Sequence, residues 1–567
     1  MFRNRKVLFV GLVILLSFAL GSCAQPTAEP TEAPPVVGPT DVPAEPEPTV
    51  EAAAFEGLTF EDPACSGFFS SIVAADEHTV VFNLCKTDAA FLSKIAFSVF
   101  SIYPQEWLEA TTEPGARLDA PVGTGAYVLS DWARGESVTF TRNPDYWGEP
   151  AQTDTLVFRW STESAARTLE LQAGTIDGFD NVGPDDFAVI EGDSSLQLIE
   201  RPALNTFYVA MTNTFEPFDD PLVREAVGMG IDRQRIVDTF FPRGSEVASH
   251  FVPCVITNGC TGDAWYDFDP EAAKALLAEA GFPNGFSTNL FYRDVVRAYL
   301  PQVAQVAGDI QAQLMANLNI DATIVVMESG AFIEACTSGT CDGMHLLGWN
   351  FDYPHVTNFL DYHFSETYAG FGTQSPTYFD ILGQAATIGD PDVAHPLYVE
   401  ANNALREYVP AVPISHGGSA VAYRADVVGG QASPLGNEYF AVVDPGGRDT
   451  MVWMQNAEPI SLFCADESDG ESLRACEQMM EPLYTFEIGG VAVEPSLATS
   501  CTPNPDSTVW TCTLREGVTF HDGSAFDAND VVTTFWAGLD ASSPLHVGNS
   551  GLWEYYTNLW GLVNVEG

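Results

Sequence analysis

Basic residues are scarce in this chain. Lysine and arginine total 23 against 77 aspartates and glutamates in 567 residues, a formal net charge of -54. Such a surface repels polyanions, which excludes nucleic acid and anionic lipid surfaces as partners. The acids are scattered rather than run together, so they read as a generally acidic, self-repelling exterior. Local catalytic signatures are missing too: there is no H-E-x-x-H, G-x-S-x-G or Walker loop, and the nine histidines are dispersed. An extracytoplasmic hydrolase is therefore unsupported, and no enzyme, cofactor or metal is expected. No cysteine pair has C-x-x-C spacing, which argues against zinc and thioredoxin-like chemistry. The apolar run from Val7 to Leu20 is too short to span a bilayer.

What is present begins with a targeting segment over residues 1–23. Arg3, Arg5 and Lys6 precede the apolar run, and Leu20-Gly21-Ser22-Cys23 closes it with small residues. Residues 24–54, rich in Pro, Glu, Thr and Ala, lack apolar periodicity and are predicted to form a disordered, extended tether. The ten cysteines after Cys23, an even number in an exported chain, point to disulfides. Connectivity is open at this level; neighbour pairing predicts Cys65–Cys85, Cys254–Cys260, Cys336–Cys341, Cys464–Cys476 and Cys501–Cys512. Cys501 and Cys512 flank a Pro-Asn-Pro-Asp turn and are expected to face one another across a hairpin.

The length calls for two or three domains. Strands and helices alternate: a strand, helix and turn over residues 154–178, a helix near 300–318, a strand at 322–327 and a buried strand at 409–414. This rhythm predicts α/β lobes with mixed sheets. The helix over 269–283 has Asp269 as its cap, Pro270 at its first position, Ala272, Leu276 and Ala280 on the expected inner face, and Gly281 with Pro283 as its stop. Late in the chain, Trp510, Cys512 and Leu514 alternate as a half-buried strand. Two turns follow, at 515–517 and 521–523. Asp527 then caps a helix striped by Val531, Val532 and Phe535.

The run Leu514-Arg515-x-Gly517-Val518-x-Phe520-His521-Asp522-Gly523, followed by Ala528-x-Asp530-Val531-Val532, resembles the signature of the family 5 extracellular solute-binding proteins. These are the ABC-importer receptors for peptides, nickel, haem and oligosaccharides. In that family the signature lies near the start of the mature protein; here it lies near the end of the sequence. Residues 76–98 resemble the segment that normally follows it. Gly123-Thr124-Gly125-x-Tyr127 and Arg142-Asn143-Pro144-x-Tyr146-Trp147 match the next landmark. The glycines also suggest a phosphate loop, which is rejected because neither a lysine nor a helix follows. Residues 201–245 follow the family again, and Pro434-Leu435-Gly436 resembles its closing segment. After the Asp444-Pro445-Gly446-Gly447-Arg448 turn, Thr450–Trp453 resembles the opening strand, and Glu481-Pro482-Leu483-Tyr484 the family's "E-x-L" helix end. Placing residues 449–567 ahead of 55–445 restores the family order.

The resemblance implies an α/β fold of the periplasmic-binding-protein type II, two lobes with a hinge plus an extra small subdomain, circularly permuted. The expected partition is the small subdomain at 55–120, lobe I at 121–220, lobe II at 221–425, lobe I again at 426–490 and the small subdomain again at 491–567. It also implies cleavage before Cys23, lipidation of its thiol and tethering to the outer face of a membrane, the anchor being the only membrane contact. The implied function is capture of di- or oligopeptides by a monomer that delivers them to the transmembrane subunits of an ABC permease. Oligosaccharide or nickel capture, or a sensor or scaffold role, are the competing readings. Asp352, in Gly348-Trp349-Asn350-Phe351-Asp352-Tyr353, stands where peptide receptors bind the ligand's α-amino group; a loop cap is its alternative. Arg297 stands where dipeptide receptors place an arginine for the ligand carboxylate, with a surface ion pair as the alternative. Trp349 and Tyr353 are expected to wall the pocket or to pack in the core. His521 reads as a structural histidine.

Overall fold

The computed structural model describes residues 55–551 and 553–565. The targeting segment, the tether and Cys23 lie outside the described residues. Three sheets organise the rest. A five-stranded antiparallel sheet runs in the order Thr59–Glu61, Phe69–Asp76, Thr79–Leu84, Val509–Leu514, Ala498–Pro503. Its central pair joins distant parts of the sequence, with Val80 opposite Cys512 and Phe82 opposite Trp510. Both strands bury alternate residues, as a sheet with one wet face requires. The dry face is covered by the helix Ala528–Leu539. Asp527 opens that helix in a capping box with Asp530, and Phe535 meets Phe82 and Phe69 at centroid distances of 5.3 and 6.0 Å.

A seven-stranded sheet has the order Tyr127–Ala133, Ser137–Arg142, Thr155–Trp160, Thr450–Gln455, Gly178–Phe179, Ser419–Arg424, Leu196–Arg201. The strand Thr450–Gln455 is inserted at its middle, parallel to both neighbours. Trp453 is buried there against Tyr423 and Phe440. A buried quartet of charges ties the lobe together: Arg201 reaches Asp180 at 2.7 Å and Glu438 at 2.6 Å, while Arg474 reaches Glu438 at 2.9 Å and also Asp180. Two cations thus offset two anions away from water. One continuous core runs from this sheet into the five-stranded sheet, from Trp453 to Phe535.

The six-stranded sheet has the order Glu246–Val247, Ala411–His416, Asn205–Met211, Gly343–Asn350, Ser287–Arg293, Asp321–Met327. The chain changes sheet at residues 202–204 and again at 417–418. The sequence reading put these boundaries at 220 and 425. The first difference arises because Asn205–Met211, buried along its whole length, is paired on both sides within the six-stranded sheet. The turn at 217–220 is therefore internal to that lobe. The two crossings are laced together, since Asn205 Nδ2 donates to the Gly417 carbonyl at 2.7 Å and the Gly417 amide donates to Asn205 Oδ1 at 2.8 Å.

The helix Pro270–Glu279 is capped by Asp269 as its sequence predicts. Its buried positions are Ala273 and Leu277, with Leu276 and Ala280 half-buried beside them. The apolar face is thus centred one residue further along than the expected one. Each of the five predicted cysteine pairs is within bonding distance, with Cα separations of 5.7, 4.8, 4.9, 5.9 and 4.0 Å in chain order. Cys501 and Cys512 are direct cross-strand partners. At the 444–448 turn, Gly446 and Gly447 both have positive φ, a conformation costly for other residues. Arg448 fastens the turn to Asp177 and Asp426 at 2.8 and 2.6 Å.

Candidate ligand-binding site

The strand Gly343–Asn350 ends beside the sheet crossing at 202–204, with Asn350 opposite Asn205. The chain then loops through Phe351–Val356 into the helix Thr357–His363. Asn358, in the first turn of that helix, organises the loop. Its Oδ1 accepts from Trp349 Nε1 at 3.0 Å and from the Asp352 amide at 3.3 Å, while its Nδ2 donates to Asp352 Oδ2 at 2.9 Å. Trp349 stacks on Tyr362 with centroids 4.5 Å apart. Tyr353 is buried, its hydroxyl 3.3 Å from Thr357 Oγ1.

The small subdomain closes over this loop. From the helix Glu554–Trp560, the Tyr555 hydroxyl donates to Asp352 Oδ1 at 2.7 Å. The Ala89 amide donates to the Ala386 carbonyl at 3.0 Å, a backbone bond between the two bodies. Lys94 is paired with Asp88 at 2.6 Å, and its ammonium lies 5.7 Å from the Tyr353 ring centroid. Between these elements lies a cavity of about 270 Å³, walled by Phe68, Lys94, Trp349, Asp352, Tyr353 and Asp361 among others. Burial pushes the Asp352 carboxyl up to about 6, against the pull of its hydrogen bonds from Asn358 and Tyr555. Burial pushes Asp361 up to about 7 despite the nearby charge of Lys94. A carboxylate in such a dry wall gains more from an ammonium than one in water does.

Three of the four residues singled out in the sequence, Trp349, Asp352 and Tyr353, therefore meet at one cavity. Arg297 is not among the residues lining it. Arg297 Nη1 donates to the Val296 carbonyl at 3.1 Å, and its charge is felt by Glu471 of the opposite lobe. Sequence reasoning missed Tyr555, Lys94, Asp88 and Asp361. Helical spacing from Asn358 was the one available signal for Asp361; the others come from segments that only the fold brings near.

The motifs that carry the resemblance assemble elsewhere. Glu481 accepts from Thr124 Oγ1 at 2.7 Å, Trp147 Nε1 at 2.8 Å and the Tyr146 hydroxyl at 2.8 Å. Gly125 lies so close to Met479 that a Cβ would come within 2.7 Å of the Met479 carbonyl carbon, which is why a glycine is needed. His521 Nε2–H donates to the Gly125 carbonyl at 3.0 Å, and the His521 amide to that of Gly123 at 2.8 Å. Arg515 lies over the Trp147 ring at 4.1 Å. These contacts give His521 a scaffold position. Among the described residues one group of possible metal ligands converges, His250 with Cys254 and Cys260, and its two sulfurs lie within bonding distance of each other.

The family described as "Bacterial extracellular solute-binding proteins, family 5 Middle" matches residues 42–371 and 492–551. The chain is 30% identical over 397 residues to a dipeptide-binding protein of Pseudomonas aeruginosa, covering 67% of this chain and 73% of that protein. It is 29% identical over 387 residues to heme-binding protein A of Haemophilus influenzae, covering 67% and 70%. A dipeptide-binding protein from Pseudoalteromonas sp. SM9913, solved in complex with Met-Leu, superposes with a TM-score of 0.60 at 25% identity, covering 67% of this chain and 77% of that one. The α/β fold is that of the type II periplasmic binding proteins. The chain belongs to the bacterial extracellular solute-binding proteins, family 5.

Proposed function

We propose that this protein is the extracytoplasmic peptide receptor of an ABC importer, closing its lobes on a di- or oligopeptide and passing it to a permease. The observation that carries this reading is Asp352, a half-buried carboxylate on a cavity wall shared by the six-stranded lobe and the small subdomain. It suits a peptide α-ammonium. The dipeptide-binding relatives point the same way. Arg297 is the proposed partner of the ligand carboxylate, reached by a ligand extending from Asp352 toward the opposite lobe. Isothermal titration with a dipeptide panel tests the anchor. An affinity that Asp352→Asn leaves unchanged removes Asp352 from the site, and binding of sugars in place of peptides overturns the ligand class.

Two further parts of the reading concern the chain itself. Lipidation at Cys23 would tether the receptor to the membrane, and palmitate labelling that survives Cys23→Ser counts against it. No helix among the described residues is long and apolar enough to cross a membrane. The reading of a permuted order rests on the pairing of Thr79–Leu84 with Val509–Leu514 and on the anchored turn at 444–448. A gene in which residues 449–567 precede 55–448 should encode a folded receptor; one that yields only aggregated chain argues against the permutation.

A further inference from the structure

The cavity holds more acid than one ligand ammonium uses. Asp88, Asp352, Asp361 and Glu554 line it against Lys86 and Lys94. Most of this charge is already engaged. Asp352 receives Tyr555 on one oxygen and Asn358 on the other. Asp88 receives Lys94 on Oδ2 and the Ala90 amide on Oδ1. Lys94 is further enclosed by the rings of Phe68, Tyr353 and Trp560, at 5.9, 5.7 and 5.2 Å.

Asp361 differs from these. It follows Asn358 by three residues on the helix Thr357–His363, so the two side chains share the face that lines the cavity. Its Oδ1 is buried and has no hydrogen-bond partner among the described residues. Buried polar atoms in folded proteins are almost always paired, and an exception is met by strain, by water, by an ion or by a ligand group. Lys94 does not supply the donor, being committed to Asp88. Tyr353 and Tyr362 also line this cavity, and aromatic faces favour a cation over a neutral group.

We propose that Asp361 is a specificity residue that receives a second cationic group of the ligand, so that the preferred ligand is a short peptide whose first side chain is basic. The choice of the first side chain follows from the place of Asp361, one helical turn from the asparagine that holds Asp352. The proposal rests on the peptide reading of Asp352.

The test is calorimetric titration of the full chain with lysyl-alanine, norleucyl-alanine and glutamyl-alanine, on the wild type, Asp361→Asn and Asp352→Asn. Norleucine keeps the aliphatic stem and removes the charge. The wild type should bind lysyl-alanine at least about tenfold more tightly than norleucyl-alanine, and glutamyl-alanine most weakly. Asp361→Asn should bring the first two within about twofold of each other while keeping the affinity for norleucyl-alanine. Asp352→Asn should weaken both. A wild type that does not distinguish the basic from the neutral peptide overturns the proposal, and so does an Asp361→Asn variant that keeps the preference. Failure of the peptide reading has a separate signature: the wild type binds none of the three, or Asp352→Asn leaves them all unchanged.

Discussion

Glu481 is a buried carboxylate and Asp361 a half-buried one, and desolvation raises both above the ordinary carboxylate range. Their surroundings differ. Glu481 is met by three donors from two motifs, and every contact around it is internal to the fold. Among the described residues Asp361 Oδ1, on the wall of a cavity between two bodies, has no donor. The protein has thus spent its polar complementarity at the junction of the family motifs and withheld it at the cleft. A fully satisfied buried acid specifies one arrangement of the chain, whereas an unsatisfied one is stabilised by what arrives.

The largest expected effect breaks the first member of this pair. Glu481→Ala leaves Thr124 and Trp147 without their acceptor and Tyr146 with the Tyr439 hydroxyl alone, at a cost of about 3 kcal/mol or more. Denaturant unfolding should show the loss, while peptide affinity of the folded fraction stays within about twofold of wild type. Unchanged stability would mean the motif junction is not the scaffold its contacts imply. Asp352→Asn sharpens the other member. The shape is kept and the charge is lost, so peptide affinity should fall by at least about tenfold, or roughly 1.4 kcal/mol. Its thermal unfolding should remain near that of the wild type.

The contrast also explains what was legible in the sequence. The alternation in Val509–Leu514, the cap at Asp527 and the Cys501–Cys512 hairpin are local, so periodicity and turn chemistry revealed them. The resemblance placed residues 76–98 next to the late hairpin and marked Thr450–Trp453 as an opening strand, but neither the central place of Thr450–Gln455 nor the register of 79–84 on 509–514 was read from the sequence. Asp352, Trp349 and Tyr353 lie within five residues of one another and were found together. Tyr555 and Lys94 reach the same cavity from segments some 200 and 260 residues away in sequence. No spacing rule connects them, because closure of one body on the other creates that proximity. Glu481 read as the end of a helix; its role depends on donors more than 300 residues distant.

Lowering the pH should move ligand affinity and stability in opposite directions. Burial places Asp352 at about 6, and a ligand ammonium prefers the ionised carboxylate. Peptide affinity should therefore decline as pH falls through 6, by roughly tenfold between pH 7 and pH 5. Stability runs the other way. Asp361, Glu467, Glu477 and Asp530 are held at about 7 by burial, above their unfolded values near 4. At these four groups the folded chain binds more protons than the unfolded one, which lowers unfolding free energy as pH rises through this window. Desolvation pushes His345, His355, His363 and His416 down to about 3, 4, 3 and 4, which opposes this over the narrower range below about 6.5. Calorimetric unfolding without ligand should thus occur at higher temperature at pH 5 than at pH 8. A flat affinity profile would show that Asp352 is not the anchor.

Tyr555→Phe should give the smallest effect and tests how the two bodies share Asp352. The variant keeps the ring, which packs against Phe97 at 4.8 Å, and removes only the hydroxyl that donates to Asp352 Oδ1. A hydrogen bond to a charged group contributes about 1.5–3 kcal/mol, of which only part bears on the ligand, so affinity should fall by roughly threefold to tenfold. That hydrogen bond also stabilises the ionised form of Asp352. Without it the carboxyl is harder to ionise, and the pH at which binding falls should shift upward from about 6. A purely steric role for Tyr555 would lower affinity equally at every pH. An upward shift of the midpoint therefore separates a hydrogen bond that tunes the anchor from a ring that merely closes the cavity.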